Sequence, residues 1–291
     1  MGAGIGALGV LVLLWLLLPV LAVVPGWPSV AVRTSSISHW VDSHFPQPPN
    51  AVKELRHLLS QNGYFPVFNG NGSSTDAGTA PAAIPLTSAV QARVSASTVL
   101  VQGEACGRIQ DGSGFAVATD TVVTNAHVVA GEGRGRTHVM LPNRSTRPAT
   151  VVLFDPERDL AILHVSGLGE SPLAIVTGHV NDVGAVFGHP GGQEPIFIAP
   201  AKIVQDVTAV GQDLYDRNQT RRDVYLLAAN LRPGDSGGPL VNPAGAVVGV
   251  AFAIAPDKQG TTAYALTSRE VDAVLTAPRG GAVSTGSCLS G

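Results

Sequence analysis

Residues 232–250 read RPGDSGGPLVNPAGAVVGV, and this stretch decides the fold. It places Ser236 in a glycine-rich turn that runs into apolar sequence. Glycines on both sides of the serine let backbone N–H groups converge in front of its hydroxyl. A serine hydroxyl is a poor nucleophile by itself, so acyl transfer also requires an imidazole base and a carboxylate that orients the base. The chain must therefore supply both groups elsewhere.

Two other motifs supply candidates for those partners. TNAHVV places His127 just after an apolar run, and RDLAIL places Asp159 just before another. Either motif alone is more often structural than catalytic, because aspartate is a common turn residue and a lone histidine at a strand end is usually structural. Asp155 and Asp182 stay open as alternative acids.

The order of these residues along the chain discriminates between hydrolase folds. The sequence around Ser236 also matches G-x-S-x-G, the elbow of the α/β-hydrolases, in which the serine precedes the acid and the histidine. The last histidine of this chain is His189, which precedes Ser236, so that fold is excluded. The subtilisin order begins with the aspartate and fits poorly. The order His127, Asp159, Ser236 is that of the two-barrel serine proteases.

The sequence from residue 87 onward is typical of an all-β barrel or sandwich. Short apolar runs alternate with turns that contain Gly, Asp, Asn or Pro. These runs are STVLVQG, GSGFAVAT, TVVTNAHVV, ATVVLFD, LAILHV, VGAVFG, VYLLAA and GAVVGVAFA. One stretch, Ser268 to Leu275, has a helical pattern and predicts a single C-terminal helix.

The composition limits the partners that the chain can have. Charged residues make up 13% of the sequence and the net charge is -3. No block of basic residues is present, so nucleic acid is not expected to bind. With 45% hydrophobic residues, 34 glycines and 21 prolines, the chain is neither a coiled coil nor fully disordered.

Residues 87–291 resemble the trypsin-like, chymotrypsin-fold serine proteases of the HtrA/DegP-like branch, through TNAHVV, RDLAIL, FGHPGG and RPGDSGGPLVNPAGAVVGV. The layout of the chain is also similar to the MarP type of actinobacterial membrane-anchored periplasmic protease, in which a CvpA-type membrane region precedes the protease. The resemblance implies two six-stranded antiparallel β-barrels. It implies Ser236 as nucleophile, His127 as general base and then acid, and Asp159 as the orienting acid, with no metal and no cofactor.

Two further groups of site residues are predicted. The backbone N–H groups of Gly234 and Ser236 are candidates for the oxyanion hole, which stabilises the charge that develops during attack. The pocket residues implied by the resemblance are Asn230 at the base and Ala251, Phe252 and Ala253 along the lining strand. Because Asn230 carries no charge, we expect the pocket to take small or medium uncharged side chains.

Cys106 and Cys288 are the two cysteines of the chain. No C-x-x-C pair occurs, which excludes a zinc knuckle and a thioredoxin-type site. The two residues could be unrelated buried thiols or one disulfide that attaches the C-terminal tail to the start of the domain. The resemblance to the MarP type implies the disulfide, which would require an oxidising compartment.

The N-terminal region predicts a membrane anchor. Residues 1–32 carry no charged side chain, and Ile5 to Val24 is a run of 20 apolar, Gly or Pro residues. A helix of that length spans about 30 Å, the thickness of a bilayer core. We predict a transmembrane helix over residues 1–28, with residues 5–25 in the membrane, rather than a cleaved signal peptide.

Three more segments complete the predicted organisation. Residues 29–68 form a juxtamembrane helical stalk, residues 69–86 a flexible linker, and residues 87–291 the protease domain. The basic residues nearest to the anchor follow it, so the positive-inside rule places the domain in the cytoplasm, whereas a disulfide requires the opposite side. The conflict disappears if earlier membrane helices that set the topology are missing from this chain.

These observations predict a membrane-anchored serine endopeptidase with its catalytic domain in the periplasm. It would cleave envelope proteins under stress, acid stress if the MarP resemblance extends to its role. The alternative is a catalytically silent protease fold that binds peptides as a sensor.

Overall fold

The computed structural model describes residues 77–192, 195–254 and 262–289. The predicted anchor over 1–28, the predicted stalk over 29–68 and the first part of the predicted linker lie outside these residues. No helix within the described ranges is long and apolar enough to cross a bilayer.

The first half of the described chain forms an antiparallel sheet of seven strands in the order β5-β4-β1-β2-β3-β7-β6. The strands are β1 (Thr98–Ala105), β2 (Arg108–Ala118), β3 (Thr121–Thr124), β4 (His138–Met140), β5 (Thr146–Pro148), β6 (Thr150–Asp155) and β7 (Leu160–His164). The prediction of a closed six-stranded barrel is wrong for this half. Strand β5 is short and exposed and ends at Pro148, which lacks an N–H donor, so the sheet stays open between β5 and β6.

The second half forms the closed six-stranded barrel that the resemblance implied, in the order β10-β13-β12-β11-β8-β9. Its strands are β8 (Val183–Gly188), β9 (Phe197–Gln212), β10 (Gln219–Ala229), β11 (Pro239–Val241), β12 (Val247–Ile254) and β13 (Thr262–Thr267). Alternate apolar side chains fill its interior, among them Tyr225, Leu227 and Leu240. A second cluster, which includes Phe115 of the sheet and Phe187 of the barrel, joins the two halves.

Within the described ranges, three α-helices lie against these sheets: α1 (Ser88–Ser97), α2 (Ala126–Val129) and α3 (Ser268–Thr276). Helix α3 confirms the predicted C-terminal helix, and its buried Val271 and Val274 explain the helical pattern. Helix α1 was not predicted, because it buries only Val94 and Ser97 and so carries no apolar stripe. Thr87 caps it by accepting a hydrogen bond from the Val90 N–H at 3.3 Å.

Residues 77–86 belong to the packed body rather than to a free linker. The Ala77 N–H donates to the Thr262 hydroxyl at 3.2 Å, and Ala77 and Leu86 are each 7% exposed. The predicted linker over 69–86 therefore extends too far, since its second half contributes two core residues that alanine-rich and proline-rich sequence did not reveal.

The C-terminal segment, residues 277–289, runs back across the first sheet. The Val283 N–H donates to the Val151 carbonyl at 2.9 Å, next to the open edge at β6, and the Gly131 N–H donates to the Thr285 carbonyl at 3.0 Å. A disulfide then joins Cys106 to Cys288, with 5.9 Å between the Cα atoms. The segment thus covers part of the sheet that barrel closure would otherwise have protected.

Candidate active site

Helix α2, which carries His127, directly follows β3 of the open sheet. The Gln110 side-chain amide donates to the carbonyl of His127 at 3.0 Å, and the Asn125 amide donates to the carbonyl of Asp159 at 2.8 Å. These two amides connect the short helix to strand β2 and to the start of β7. The histidine backbone is therefore held from both sides although the helix has only one turn.

Asp159 uses both carboxylate oxygens to hold His127. Its Oδ2 lies 2.7 Å from the imidazole Nδ1, and its Oδ1 accepts a hydrogen bond from the His127 backbone N–H at 2.9 Å. The aspartate is 3% exposed and adopts a left-handed backbone with φ of 59°. Two-point contact fixes the plane of the ring and leaves Nε2 as the nitrogen that faces away from the carboxylate.

The structure does not bring the alternative acids to this histidine. Asp155 accepts hydrogen bonds from the N–H groups of Glu157 and Arg158 in its own turn. Asp182 accepts from the His179 N–H at 2.8 Å in a separate loop. Both behave as ordinary turn residues, so Asp159 is the acid that the fold assembles with His127.

Ser236 lies in the turn between β10 and β11, and backbone contacts fix that turn on both sides. The Ser113 N–H of β2 donates to the Ser236 carbonyl at 2.7 Å, and the Gly237 N–H donates to the Ala251 carbonyl of β12 at 2.8 Å. Gly237 has φ of 84°, and a methyl group there would collide with the Ser113 carbonyl oxygen. The turn therefore joins the open sheet to the closed barrel at a position that accepts glycine alone.

Each predicted oxyanion donor shares a peptide bond with the carbonyl of the preceding residue, and both of these carbonyls accept hydrogen bonds. The Gly191 N–H donates to the Pro233 carbonyl at 2.9 Å, and the Gly238 N–H donates to the Asp235 carbonyl at 3.0 Å. In a trans peptide the N–H points opposite to the carbonyl. The N–H groups of Gly234 and Ser236 are thus aimed away from those contacts, and neither donates to an acceptor within the described residues.

Ser113 is a site residue that the sequence reasoning missed. Its hydroxyl donates to the Gly234 carbonyl at 2.8 Å and accepts from the His189 N–H at 2.9 Å. It therefore holds the glycine turn against the loop that follows β8. The signal available in the sequence was Gly-Ser-Gly at residues 112–114, where flanking glycines permit close backbone approach.

Asp235 precedes the nucleophile and is almost completely buried, at 1% exposed. Its Oδ2 accepts a hydrogen bond from the Arg232 N–H at 2.8 Å, while Oδ1 is buried and has no hydrogen-bond partner among the residues that the structure describes. Burial raises the pKa of this carboxyl to about 6, against the smaller lowering effect of the Arg232 N–H. The turn thus holds an acid that is costly to ionise.

The residues predicted to form the pocket lie beside this turn. The Ala251 N–H donates to the Gly238 carbonyl at 3.0 Å, and exposed Asn230 directly follows β10. Phe252 is 2% exposed and its ring packs in the core, so its side chain is not available to line a pocket; for Ala253 only the backbone is described. In the described ranges no group of three His, Cys, Asp or Glu side chains could hold a metal ion.

Comparison with known proteins places this arrangement in a family. Residues 112–250 match the trypsin-like peptidase domain. The crystal structure of the active form of the Rv3671c protease from Mycobacterium tuberculosis superposes with a TM-score of 0.66 and 34% identity, over 76% of this chain and 100% of that one. The chain belongs to the trypsin-like peptidases. The family resemblance and the predicted chymotrypsin-like fold of the protease domain are thereby confirmed, apart from the open first sheet; the predicted transmembrane helix lies outside the described residues.

Curated members of the trypsin-like peptidases show the same relationship in sequence. Serine protease Rv3671c of Mycobacterium tuberculosis is 38% identical over 196 residues, which are 64% of this chain and 46% of the relative. A probable periplasmic serine endoprotease, DegP-like, of Chlamydia pneumoniae is 34% identical over 157 residues, 51% of this chain and 30% of the relative. The chain thus spans about half of the curated Rv3671c protein and less of the other.

Proposed function

We propose that this chain is a serine endopeptidase in which Ser236, His127 and Asp159 form the catalytic triad. The observation that carries the proposal is the two-point contact of Asp159 with His127, 2.7 Å at Nδ1 and 2.9 Å at the backbone N–H. A carboxylate in this position keeps the Nδ1 proton in place, so that Nε2 can accept the serine proton.

The chemistry is acyl transfer in two steps. In the first, the Ser236 oxygen attacks the peptide carbonyl carbon, His127 takes the hydroxyl proton, and the oxyanion is stabilised by the N–H groups of Gly234 and Ser236. The C–N bond breaks as His127 gives that proton to the leaving amine. In the second, water attacks the acyl-enzyme with His127 as base, and the serine is regenerated with release of the carboxylate product.

We propose further that the domain works outside the cytoplasm, attached to the membrane through residues 5–25. The Cys106–Cys288 disulfide supports this location, because such bonds persist in oxidising compartments. The name of the DegP-like relative, a probable periplasmic endoprotease, agrees with it. The substrates in this proposal are proteins of the cell envelope, cleaved during stress, including acid stress.

Labelling with a fluorophosphonate probe tests the catalytic part of the proposal. The purified full chain should be labelled stoichiometrically, whereas Ser236→Ala should show no labelling. The matched control is Ser166→Ala, because the Ser166 hydroxyl lies 3.2 Å from a ring nitrogen of His164 on the exposed surface, outside the proposed site. If the wild-type chain is not labelled, the peptide-binding sensor becomes the better description.

Thiol accessibility and extraction test the location. In cells that express the full chain, both cysteines should react with a maleimide only after reduction, and the chain should stay with the membrane in alkaline carbonate. Free thiols in untreated cells, or release by carbonate, would contradict an anchored protein in an oxidising compartment.

A further inference from the structure

The turn that carries Asp159 is held by residues of the second barrel. We define the acid turn as residues 155–159. The carbonyl of Pro156 accepts a hydrogen bond from the Leu214 N–H at 3.0 Å. The next carbonyl, that of Glu157, accepts from the Arg222 Nε at 2.6 Å and from the Thr220 hydroxyl at 3.2 Å. All three donors belong to the β9–β10 hairpin, so the barrel contacts the acid turn from outside its own sheet.

Arg222 is the unusual member of this group. It is 7% exposed, and its second contact, from Nη2, is to the Gln212 carbonyl at 3.0 Å. No carboxylate of the described residues forms an ion pair with it. A buried guanidinium without a counter-ion is costly, and here it is compensated by backbone carbonyls alone. Its charge strengthens the hydrogen bond to Glu157, since charge-assisted bonds are stronger than neutral ones.

The same hairpin also contacts the helix that carries the histidine. Leu214, at the hairpin tip, is buried in one apolar cluster with Ala126 and Ala130. Ala126 is the first residue of α2, directly before His127, and Ala130 follows the helix. The tip therefore packs against the helix that carries His127, while the strand behind it binds the acid turn through Arg222. Because the hairpin contacts both elements at different points, a shift of the hairpin would change the position of Asp159 relative to His127.

We propose that Arg222 is a positioning residue of the triad: through the Glu157 carbonyl it fixes the acid turn, and so sets the contact of Asp159 with His127. The inference rests on the proposed function. Asp159 needs such support because its left-handed backbone conformation is unfavourable for a residue with a side chain. Arg158 anchors the same turn separately, 3.0 Å from Asp155 and 3.1 Å from Glu270.

The test compares Arg222→Met with Arg222→Lys in the purified full chain. Loss of the guanidinium should lower the maximal fluorophosphonate labelling rate about 10- to 100-fold, since a displacement of about 1 Å has such an effect on rates. The affinity for the probe should stay the same. Lysine, which keeps the positive charge but offers a single donor nitrogen in place of three, should restore part of the rate.

Proton NMR provides a readout that does not depend on catalysis. The His127 Nδ1 proton, in a 2.7 Å contact with a carboxylate, should give a low-field resonance, which should move or disappear in Arg222→Met and return in Arg222→Lys. The matched control is Arg221→Met, because Arg221 is the exposed neighbour on the same strand. It should change neither the rate nor the resonance.

Several outcomes would overturn the inference. An Arg222→Met chain with the wild-type labelling rate and an unmoved resonance would show that Arg222 does not position the triad. If that variant fails to fold, Thr220→Val, which removes one bond to the same carbonyl, and Arg222→Lys decide the question by the same two readouts. If the wild-type chain is not labelled at all, the proposed function fails, while the resonance still reports on Arg222.

Discussion

The open sheet and the closed barrel hold their catalytic groups in different ways. The barrel carries Ser236 on a turn that backbone hydrogen bonds and glycines fix, and its six strands complete their own hydrogen bonding. The sheet has two edges, and its His127 and Asp159 depend on side chains and segments from elsewhere. A closed barrel needs no outside support, whereas an open sheet must be covered or braced.

The supports of the open sheet can be identified one by one. The C-terminal segment bonds to Val151 near the edge, the disulfide attaches that segment to the turn between β1 and β2, and the β9–β10 hairpin binds the acid turn. Each support comes from a part of the chain distant in sequence. From this difference we expect the histidine and the aspartate to respond to changes in several distant segments. The serine turn should respond mainly to changes within it and at Ser113, the one residue of β2 that bonds to it through both its hydroxyl and its backbone N–H.

The largest effect is expected at the junction of the two regions. Gly237→Ala should abolish labelling and lower the free energy of unfolding by about 3 kcal/mol or more, because the added methyl group collides with backbone at an unfavourable φ. The control is Gly167→Ala, since Gly167 has φ of 70° but nothing within 4 Å of the added carbon. Urea unfolding of both variants separates the cost of the collision, which only Gly237→Ala carries, from the cost of the unfavourable φ, which both variants carry. Equal losses in both variants would contradict a junction that depends on close packing.

The disulfide should matter next, and mainly for the open sheet. Replacing Cys106 and Cys288 together by serine should cost about 2–5 kcal/mol, because the bond closes a long loop. Hydrogen exchange measured by mass spectrometry should show the faster exchange in β1, β4 and β6 rather than in the barrel strands. Uniform loss of protection in both halves would contradict the distinction between the two regions.

The apolar runs found in the sequence match five of the seven strands of the open sheet and three of the six strands of the barrel, and burial explains which strands were found. Runs such as VGAVFG and GAVVGVAFA are continuous and apolar because the barrel buries them on both sides. Strands β4 and β5 have three residues each and little burial, so local pattern does not reveal them. Strand β9, with 16 residues, was also missed, because it alternates between buried and half-exposed positions without a uniform apolar run.

The site was predictable where chemistry sits in a contiguous motif and not where it depends on tertiary contacts. The structure assembles His127 with Asp159 and places Ser236 at the junction, as chain order suggested. Arg222 and Ser113 act through backbone carbonyls 65 and 121 residues away, and no local pattern encodes such partners. The pocket lining stays a prediction from motif position, and at Phe252 the ring belongs to the core, which leaves only the backbone of this residue to line a pocket.

Replacing Asp235 should have a smaller effect on stability, and that effect should depend on pH. Its pKa is raised from 3.8 to about 6, so the folded state holds the proton more tightly than the unfolded state, and stability falls as pH rises between about 4 and 6. Asp235→Asn keeps an acceptor for the Arg232 N–H without that cost. It should be about 1–3 kcal/mol more stable than wild type at pH 7.5 and equal to it below pH 4. Thermal unfolding of both proteins between pH 4 and pH 7.5 tests this prediction. If Asp235→Asn is more stable than wild type by the same amount at every pH, the carboxylate of Asp235 does not cause the difference.

The smallest effect is expected from removing the ion pairs that Arg269 forms on the surface of the closed barrel. Arg269 of α3 lies 2.8 Å from Asp206 and 3.0 Å from Asp223, with 44% of its side chain exposed. Because exposed ion pairs are screened by solvent and salt, Arg269→Met should cost less than about 1 kcal/mol, and less still at high salt. Urea unfolding at two salt concentrations measures it.

Arg158→Met provides the matched case on the open sheet, since Arg158 also contacts two carboxylates, those of Asp155 and Glu270, and is 40% exposed. The two arginines have similar exposure and partners of the same kind, so solvent screening should be alike in both. If bracing is needed only where a sheet is open, Arg158→Met should lower the labelling rate while Arg269→Met leaves it unchanged. Equal effects on labelling would remove the distinction between a self-supporting barrel and a braced sheet.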